Sequence, residues 1–202
     1  MSRDGKTEQS IKDAAKKIFL RKGFSGARMQ DIADEAGINK ALLHYYFRSK
    51  EKIFDQVFQE ALETFFPRII EVINSDLPLF DKITVFVREY ITTLTQHPYI
   101  PLFILHEISQ DPQRLIQKLI SMQNEFRPQK FIAQIQTEIK AGMIKSVSPV
   151  QFIINMLALC IFPIAGKPMI QGVLGLDEIQ YRLLLEQRIT EVPKLLIDSL
   201  KP

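Results

Sequence analysis

The sequence predicts an all-α fold, and two observations carry this prediction. Apolar residues recur at steps of three and four along almost the whole chain of 202 residues, which is the period of an α-helix. Glycine is scarce, with 8 residues in all, and short strand-like runs framed by turn residues are absent. Divided at its glycines, prolines and capping residues, the pattern indicates about nine helices.

The N-terminal quarter is predicted to hold three of these helices. The first runs from about residue 7 to residue 22, and Gly23 stops it because glycine accepts the left-handed conformation of a helix C-cap. The second covers residues 29–36 and ends at Gly37. The third is short and covers about residues 39–47.

The helices that follow are divided mainly by proline. Ser49 is a capping residue for a long fourth helix, which we expect Pro67 to kink or end, because proline removes a helical hydrogen bond. Proline and capping positions then predict helices over 78–94, 102–109, 112–126 with a continuation to 141, 150–162 and 178–200. Residues 163–176 hold two prolines and three glycines and are predicted to form a loop.

Composition excludes several classes of protein. Apolar residues make up 46% of the chain and the net charge is only +3, which excludes a disordered chain. The single cysteine excludes an internal disulfide framework and a cysteine-rich zinc site, and it favours a reducing, cytoplasmic setting. The three histidines lack metal-ligand spacing, the N-terminus lacks the apolar stretch of a signal peptide, and no apolar span of about 18 residues occurs. We therefore expect no cofactor, no metal and no membrane partner.

Charge is distributed unevenly along the chain. Residues 1–52 hold 12 lysines and arginines against 7 acidic residues, a net charge of +5. Residues 53–202 hold 14 against 16, a net charge of −2. A basic N-terminal unit on a slightly acidic body indicates contact with a polyanion, although terminal charge that serves only solubility would give the same asymmetry.

The segment from residue 29 to residue 47 has the pattern of a helix-turn-helix. This motif places one helix across the DNA backbone and the next in the major groove. The small and apolar positions that it needs are all present: Ile32, Ala33, Ala36, Gly37, Ile38 and Leu43. A simple helical hairpin would share the glycine and some of the apolar residues, but the full set inside a basic three-helix unit favours the DNA-binding motif.

These residues and their neighbours resemble the N-terminal domain of the TetR family of transcriptional regulators. The resemblance covers about residues 7–58 and rests on Ala14, Ala15, Ile18, Phe19, Lys22, Gly23, Phe24, Gly26, Met29, Ile32, Ala33, Ala36, Gly37, Ile38, Lys40, Leu43, Tyr45, Tyr46, Phe47, Ser49, Lys50 and Glu51. It implies a DNA-binding domain over residues 1–48 and a helical ligand-binding and dimerisation domain over residues 49–202. It also implies a homodimer that binds a palindromic DNA operator, most often as a repressor, and responds to a small-molecule effector.

The resemblance assigns the DNA contacts to a short recognition helix and its surroundings. Asparagine can bond adenine, lysine can reach guanine, and alanine or leucine can touch a thymine methyl group. Phosphate contacts are implied for a tyrosine, a histidine and a lysine with the backbone N–H groups of the fourth helix. The expected base-side residues are Gln30, Asn39, Lys40, Ala41, Leu42 and Tyr45, and the expected phosphate contacts are His44, Tyr46 and Lys50. His44 and Tyr46 stand in the reverse of the family's more common order.

One position departs from the family pattern. Many relatives carry a threonine or serine just before the second helix, where this chain has Ala27 and Arg28. The lost hydroxyl cap costs about 1 kcal/mol of local stability. Two roles are open to Arg28, a direct phosphate contact or an approach to the minor groove.

The middle helices carry the residues expected to line an effector cavity. Such pockets are largely apolar with a few polar anchors. The candidates are Phe86, Tyr90, Phe103, His106, Met122, Phe126 and Met156, of which His106 is the candidate polar anchor. Cys160 lies in an apolar run and is expected to be a small buried side chain rather than a nucleophile.

Dimerisation is expected to run through the last two long helices. Their apolar residues exceed what one small domain needs: Ile153, Ile154, Leu157, Ile161, Leu183, Leu184, Ile189, Leu196 and Ile197. Two other classes of protein fit the sequence less well. An all-α enzyme is disfavoured because no paired acid and base, phosphate loop or metal-spaced set occurs. An architectural DNA binder is disfavoured because it would not need a helical body of 150 residues.

Overall fold

The structure is a computed structural model that describes residues 3–110, 112–113, 116–117 and 128–202. These residues form α-helices and no strand, which confirms the all-α prediction. The helices that have assigned bounds are α1 (Arg3–Gly26), α2 (Met29–Ala36), α3 (Lys40–Tyr46), α4 (Lys50–Asn74), α5 (Leu79–Gln96), α6 (Tyr99–Gln110), α7 (Pro128–Lys140), α8 (Pro149–Ala165), α9 (Lys167–Leu174) and α10 (Glu178–Leu200).

The first three helices pack around a small core of their own. Ile11 and Ala15 from α1, Ile32 and Ala33 from α2, and Leu43 from α3 have no exposed surface. Both predicted glycine breaks are present: Gly23 (φ 68°) interrupts α1 before its last turn, and Gly37 (φ 67°) makes the turn between α2 and α3. Because a side chain strains the left-handed region, these two positions favour glycine.

Helix α4 is longer than predicted. The expectation that Pro67 would end it is wrong, since the helix continues through that proline to Asn74. The lost hydrogen bond is offset by burial, because Phe65, Ile69 and Ile70 on either side of Pro67 are buried in the body. At its far end a fully buried lysine on α5, Lys82, donates to the Ser75 carbonyl (2.8 Å) and to Gln134 Oε1 (2.7 Å).

Helices α5, α8 and α10 form the centre of the body, with α5 packed against α4, α6, α8 and α10. Ser148 and Asp177 cap α8 and α10 as predicted. The predicted loop over residues 163–176 is wrong: α8 runs on to Ala165, and α9 follows after Gly166. Proline is tolerated in the first turn of a helix, so Pro168 starts α9 rather than preventing it.

Two further findings concern the body. Most of the predicted helix over residues 112–126 lies outside the described residues. Among the described helices, none by itself has the length and apolarity that a membrane crossing requires; α8 and α9 meet that test only as a pair, and they are bent by 72° at the break between them.

Candidate nucleic-acid interface and effector cavity

Most side chains of helix α3 are exposed. Leu43 is completely buried beneath it. Five of the six side chains that the sequence analysis assigned to this helix are exposed, most of all Tyr45 at 80%: Lys40, Ala41, Leu42, His44 and Tyr45. The sixth, Tyr46, is half-buried. The structure therefore brings these five predicted residues together on one short, accessible element.

Asn39 precedes this row and has a structural task. It is the N-cap of α3, and its Oδ1 accepts a hydrogen bond from the Leu42 N–H at 2.8 Å. A bidentate contact with adenine would use the same amide oxygen. The cap and the predicted base contact therefore compete, and only the Asn39 amide N–H₂ group is outside this hydrogen bond.

At the start of α2, Arg28 and Gln30 are both exposed. Arg28 is the N-cap residue in an extended conformation (φ −118°), and its backbone N–H donates to Asp31 Oδ2 at 3.0 Å. Lys22 lies 2.9 Å from the same carboxylate, and this contact lowers the pKa of Asp31. The Gln30 amide donates to Asp34 Oδ1 at 2.7 Å. The Asp31 carboxylate thus accepts the N–H of the N-cap residue itself, whereas the helical N–H groups that a hydroxyl cap would accept receive no side-chain cap from Arg28. The Arg28 side chain makes no ion pair within the described residues.

The predicted phosphate contact of Tyr46 meets a competitor. Its hydroxyl donates to Asp4 Oδ1 at 2.8 Å, and this carboxylate raises the pKa of Tyr46. A phosphate oxygen would have to displace Asp4 to accept the same proton. His44, two residues earlier on α3, is exposed without this constraint.

The predicted phosphate contact of Lys50 also meets competitors. Its ammonium donates to the carbonyl oxygens of Phe24 (2.7 Å) and Ala27 (3.1 Å), and it lies 4.3 Å from the centre of the Phe24 ring. Lys50 is half-buried and holds the corner between α1 and α2 against the start of α4. The physical reason is that the corner leaves carbonyls without helical partners, and the nearest cation satisfies them.

Sequence reasoning missed two exposed cations next to this site, Arg48 and Lys52. Together with Tyr46, Phe47, Asp55 and Gln56 they line an open groove of about 430 Å³ between α3 and α4. Neither forms an ion pair with a described residue. Their signal was present in the sequence, since both flank the Ser49 cap, but their lack of acidic partners is visible only in three dimensions.

A second candidate site lies inside the body. It is a cavity of about 240 Å³ that several helices enclose, and α4 contributes more of its wall than the sequence suggested. Its lining residues are Phe65, Phe66, Ile69, Ile73, Phe86, Tyr90, Ile104, Pro128, Phe131, Ile153, Met156, Leu157 and Ile161. Three predicted residues are therefore in place, Phe86, Tyr90 and Met156. The α4 residues beyond Pro67 were missed because that helix was expected to stop or bend there.

Two other predicted cavity residues lie elsewhere, which corrects the sequence analysis. Phe103 and His106 of α6 pack against Phe54 of α4, with ring centres 4.8 and 5.0 Å away, and against α1 and its corner. His106 lies 4.6 Å from the Phe24 ring, and burial lowers the pKa of His106. The remaining two candidates, Met122 and Phe126, are outside the described residues. The correction follows from helix geometry. Phe103 and His106 are three residues apart and share one face of α6, whereas Ile104, about 100° around the helix from Phe103, lines the cavity.

The cavity is almost wholly apolar. Among its described lining residues only Tyr90 carries a polar side-chain group, and its hydroxyl makes no hydrogen bond with a described residue. Burial raises the pKa of Tyr90 well above its usual range, so the group is neutral. The described residues contain no cluster of three or more histidine, cysteine, aspartate or glutamate side chains that could hold a metal ion.

Comparison with known proteins shows that the chain is similar to transcriptional regulators. Residues 11–57 match the family model described as bacterial regulatory proteins, tetR family. The HTH-type transcriptional regulator RutR of Escherichia coli (strain K12) is 23% identical over 195 residues, which are 96% of this chain and 91% of that protein.

Two further similarities differ in how much of the chain they cover. The HTH-type transcriptional repressor NicS of Pseudomonas putida is 38% identical over 60 residues, which are 30% of this chain and 28% of that protein. The solved structure of the ketosteroid transcriptional regulator KstR2 of Mycobacterium tuberculosis has a TM-score of 0.71 at 14% identity, covering 96% of this chain and 95% of that one. That second likeness shows a shared fold over nearly the full length.

Proposed function

The chain belongs to the TetR family of bacterial regulatory proteins, and from this premise we propose that it is a repressor that a small, largely apolar effector releases from a palindromic operator. Its role as a DNA-binding transcriptional regulator, and not an enzyme, follows from the family. The finer proposal divides the chain functionally into a DNA-binding domain over residues 1–48 and an effector and dimerisation domain over residues 49–202. We place its action in the cytoplasm, on double-stranded DNA.

The observation that carries this proposal is the path of α4. This single helix of 25 residues begins beside the recognition helix and ends in the wall of the cavity. Near its start, Phe54 packs against Phe24 (5.0 Å) and Phe103 (4.8 Å). Near its end, Phe65 and Ile69 line the cavity. Any molecule that fills the cavity therefore touches the same rigid element that carries the DNA-binding unit.

The chemistry of the cavity supports an uncharged, mostly hydrocarbon effector. A charged group would be desolvated there without a described counter-charge, which is strongly unfavourable. The Tyr90 hydroxyl is the one polar anchor among the described lining residues, and it can either donate to or accept from a ligand oxygen. We propose that the effector carries one such oxygen on an apolar frame.

A homodimer is supported by an apolar surface on α8, α9 and α10. Ile154 and Phe162 on α8 are 51% and 54% exposed, and Leu183 and Leu195 on α10 are 51% and 59% exposed. Patches of this kind mark protein–protein contacts. The predicted interface needs revision in its details: Ile153, Leu157 and Ile161 line the cavity, and Leu196 is buried, so these four serve the body of one chain.

Regulation then follows as a shift between two states of the dimer. We propose that the effector favours the state in which α4 tilts and the two α3 helices leave the separation of one DNA turn, about 34–36 Å, that two half-sites require. Only a ligand that binds this state better can release DNA, and a tenfold preference gives about 1.4 kcal/mol of coupling.

The experiment that tests the function has two parts. Footprinting on the DNA that flanks the gene should reveal a palindromic protected site; absence of any protected site contradicts the repressor proposal. Apolar compounds that raise the melting temperature are then titrated by calorimetry with and without that DNA. Because coupling is reciprocal, operator DNA must weaken effector binding by the factor by which the effector weakens DNA binding. An unchanged effector affinity would show occupancy without regulation.

A further inference from the structure

We propose that the contact of His106 on α6 with the corner between α1 and α2 is a proton-sensitive switch, which opens on acidification and weakens operator binding. This inference rests on the proposed DNA-binding function and deepens it, because it adds the proton as a second signal beside the effector. The contact lies outside both the exposed face of α3 and the cavity.

The first argument is the place of His106 in the fold. The centre of its ring lies 4.6 Å from that of Phe24, near the end of α1, and 5.0 Å from that of Phe54 on α4. One turn earlier on α6, Phe103 packs on Phe54 and on Phe19 of α1. Among these five rings only that of His106 gains a charge near neutral pH. A titratable group therefore lies where the body meets the DNA-binding unit.

The second argument is the cation that already occupies this corner. The Lys50 ammonium lies 4.3 Å from the centre of the Phe24 ring and donates to the Phe24 and Ala27 carbonyls. A protonated His106 would bring a second positive charge against the same ring, in a half-buried contact that water screens less than in bulk solution. Since two carbonyls hold Lys50, the repulsion favours movement of α6 away from the corner.

The charges around His106 determine the direction of the response. Burial is the largest cause that lowers the pKa of His106, and Lys50 on α4 lowers it further. Glu107, the next residue on α6, raises this pKa, while the α1 residue in contact is the uncharged Phe24. The attraction of a charged ring to the faces of Phe24 and Phe54 offsets only part of its lost hydration.

The sign of the pH dependence follows from these causes. In the closed contact the pKa of His106 lies below its ordinary value of 6.5, so the ring is neutral at neutral pH. When the contact opens, the ring is hydrated and its pKa returns toward 6.5. Protons therefore favour the open form. The closed contact is complete above about pH 6.5 and loses stability as the pH falls below that value.

An open contact affects DNA binding through the geometry of the dimer. With α6 released, α1 keeps the ion pairs of Lys12 and Lys16 with Glu60 of α4 but loses its support from the body. Two recognition helices that must stand one DNA turn apart are then less preorganised, which lowers the affinity for two half-sites. A duplex of arbitrary sequence does not require this separation, so its binding should change much less.

The experiment compares the natural protein with His106→Phe, which keeps an aromatic ring but takes up no proton. Both proteins are titrated onto operator and onto an arbitrary duplex at fixed salt, from about pH 7.5 to about pH 5.5. Relative to the variant, the natural protein should lose operator affinity by up to about tenfold per pH unit for each bound chain. The comparison removes the contributions of His44 and His97, because both proteins retain them.

A second measurement tests the role of Lys50 directly. The pKa of His106 is followed by the NMR signals of its ring protons. Lys50→Met should raise this pKa, because it removes the cation that opposes protonation. Arg48→Met is the matched control, since it removes an exposed cation two residues away in sequence and should leave the pKa of His106 unchanged.

The outcomes separate the inference from the function on which it rests. The inference is overturned, while the function stands, if natural protein and His106→Phe show the same pH dependence on operator. It is also overturned if the loss is equal on the arbitrary duplex, or if Lys50→Met leaves the pKa of His106 unchanged. A natural protein that binds no operator at pH 7.5 overturns both. If His106→Phe does not melt like the natural protein at about pH 7.5, His106→Gln replaces it in the same titration.

Discussion

In the N-terminal unit the side chains proposed for binding point outward, whereas in the body they point inward around a cavity. Tyr45 on α3 is 80% exposed, while Tyr90 in the cavity wall is 6% exposed. The exposed side chains on α3 are positioned by local features: the Asn39 cap, the Gly37 turn and the buried Leu43. The inward set depends on residues from α4, α5, α6, α7 and α8, whose positions in the chain lie far apart.

This difference indicates how far each kind of site depends on the packing that stabilises the fold. A site on the surface needs its side chains positioned but not packed, so substitutions there should change binding much more than folding. A site in the core belongs to the packing itself, so substitutions there should change both. Phe54 lies where the two regions meet, because its ring contacts Phe19 and Phe24 of α1 and Phe103 of α6.

The largest expected effect is at this junction. Phe54→Ala should lower the free energy of unfolding by about 3–5 kcal/mol, since it leaves a cavity among five aromatic rings. Urea unfolding followed by circular dichroism measures this, with Tyr45→Ala as the control that removes an exposed ring. A loss below about 1 kcal/mol would show that the two regions are not joined through this residue.

The next largest expected effect is a loss of stability of the body at alkaline pH. Burial raises the pKa of the Cys160 thiol from 9.0 to about 12, so the folded chain keeps a proton that the unfolded chain loses. The stability from this group is complete below pH 9 and falls by about 1.4 kcal/mol per pH unit as the pH rises toward 12.

This alkaline loss is isolated by comparison with Cys160→Ala in urea titrations at pH 8 and pH 10. The difference between the two proteins removes the contribution of Tyr90, which both retain. Equal pH dependence in the two proteins would mean that the thiol ionises normally and that the α8 interior is wetter than its burial indicates.

A smaller effect is expected at the cap of the recognition helix. Asn39→Ala should cost about 1 kcal/mol, or about 2–4 °C in melting temperature for a chain of this size, because the Leu42 N–H loses its acceptor. Asn39→Ser restores the cap and should melt like the natural protein. If the serine variant also keeps full operator affinity, Asn39 acts as a cap only; if it loses affinity, the amide also contacts a base.

The smallest expected effect on stability is that of Tyr45→Ala, within about 0.5 kcal/mol of the natural protein, since the ring is mostly exposed. Its effect on DNA should be selective, with operator binding weakened more than binding to random duplexes, as for a side chain that reads base edges. Fluorescence titrations on both DNAs measure this. If Tyr45→Ala weakened binding to operator and to random DNA equally, Tyr45 would contact the DNA backbone and not the base edges.

The sequence by itself determined what short stretches of chain decide. The helix-turn-helix from Met29 to Tyr46, the glycine breaks and the caps at Ser49, Ser148 and Asp177 all lie where periodicity and capping chemistry predict them. The physical reason is that a turn or cap involves groups within about four residues of one another. The all-α class follows from the same local period.

Only the tertiary structure decided which cations remain exposed and which helix faces line the cavity. Lys50 and Arg48 look alike in sequence, yet one is bound to two carbonyls and the other is exposed, because the α1–α2 corner folds back onto α4. Phe103 and His106 look like cavity residues, yet they pack on Phe24 and Phe54 while Ile104 between them faces the cavity. Pro67 likewise fails to end α4, since burial on both sides outweighs one missing hydrogen bond. In each case the deciding partner lies far away along the chain, where no local pattern records it.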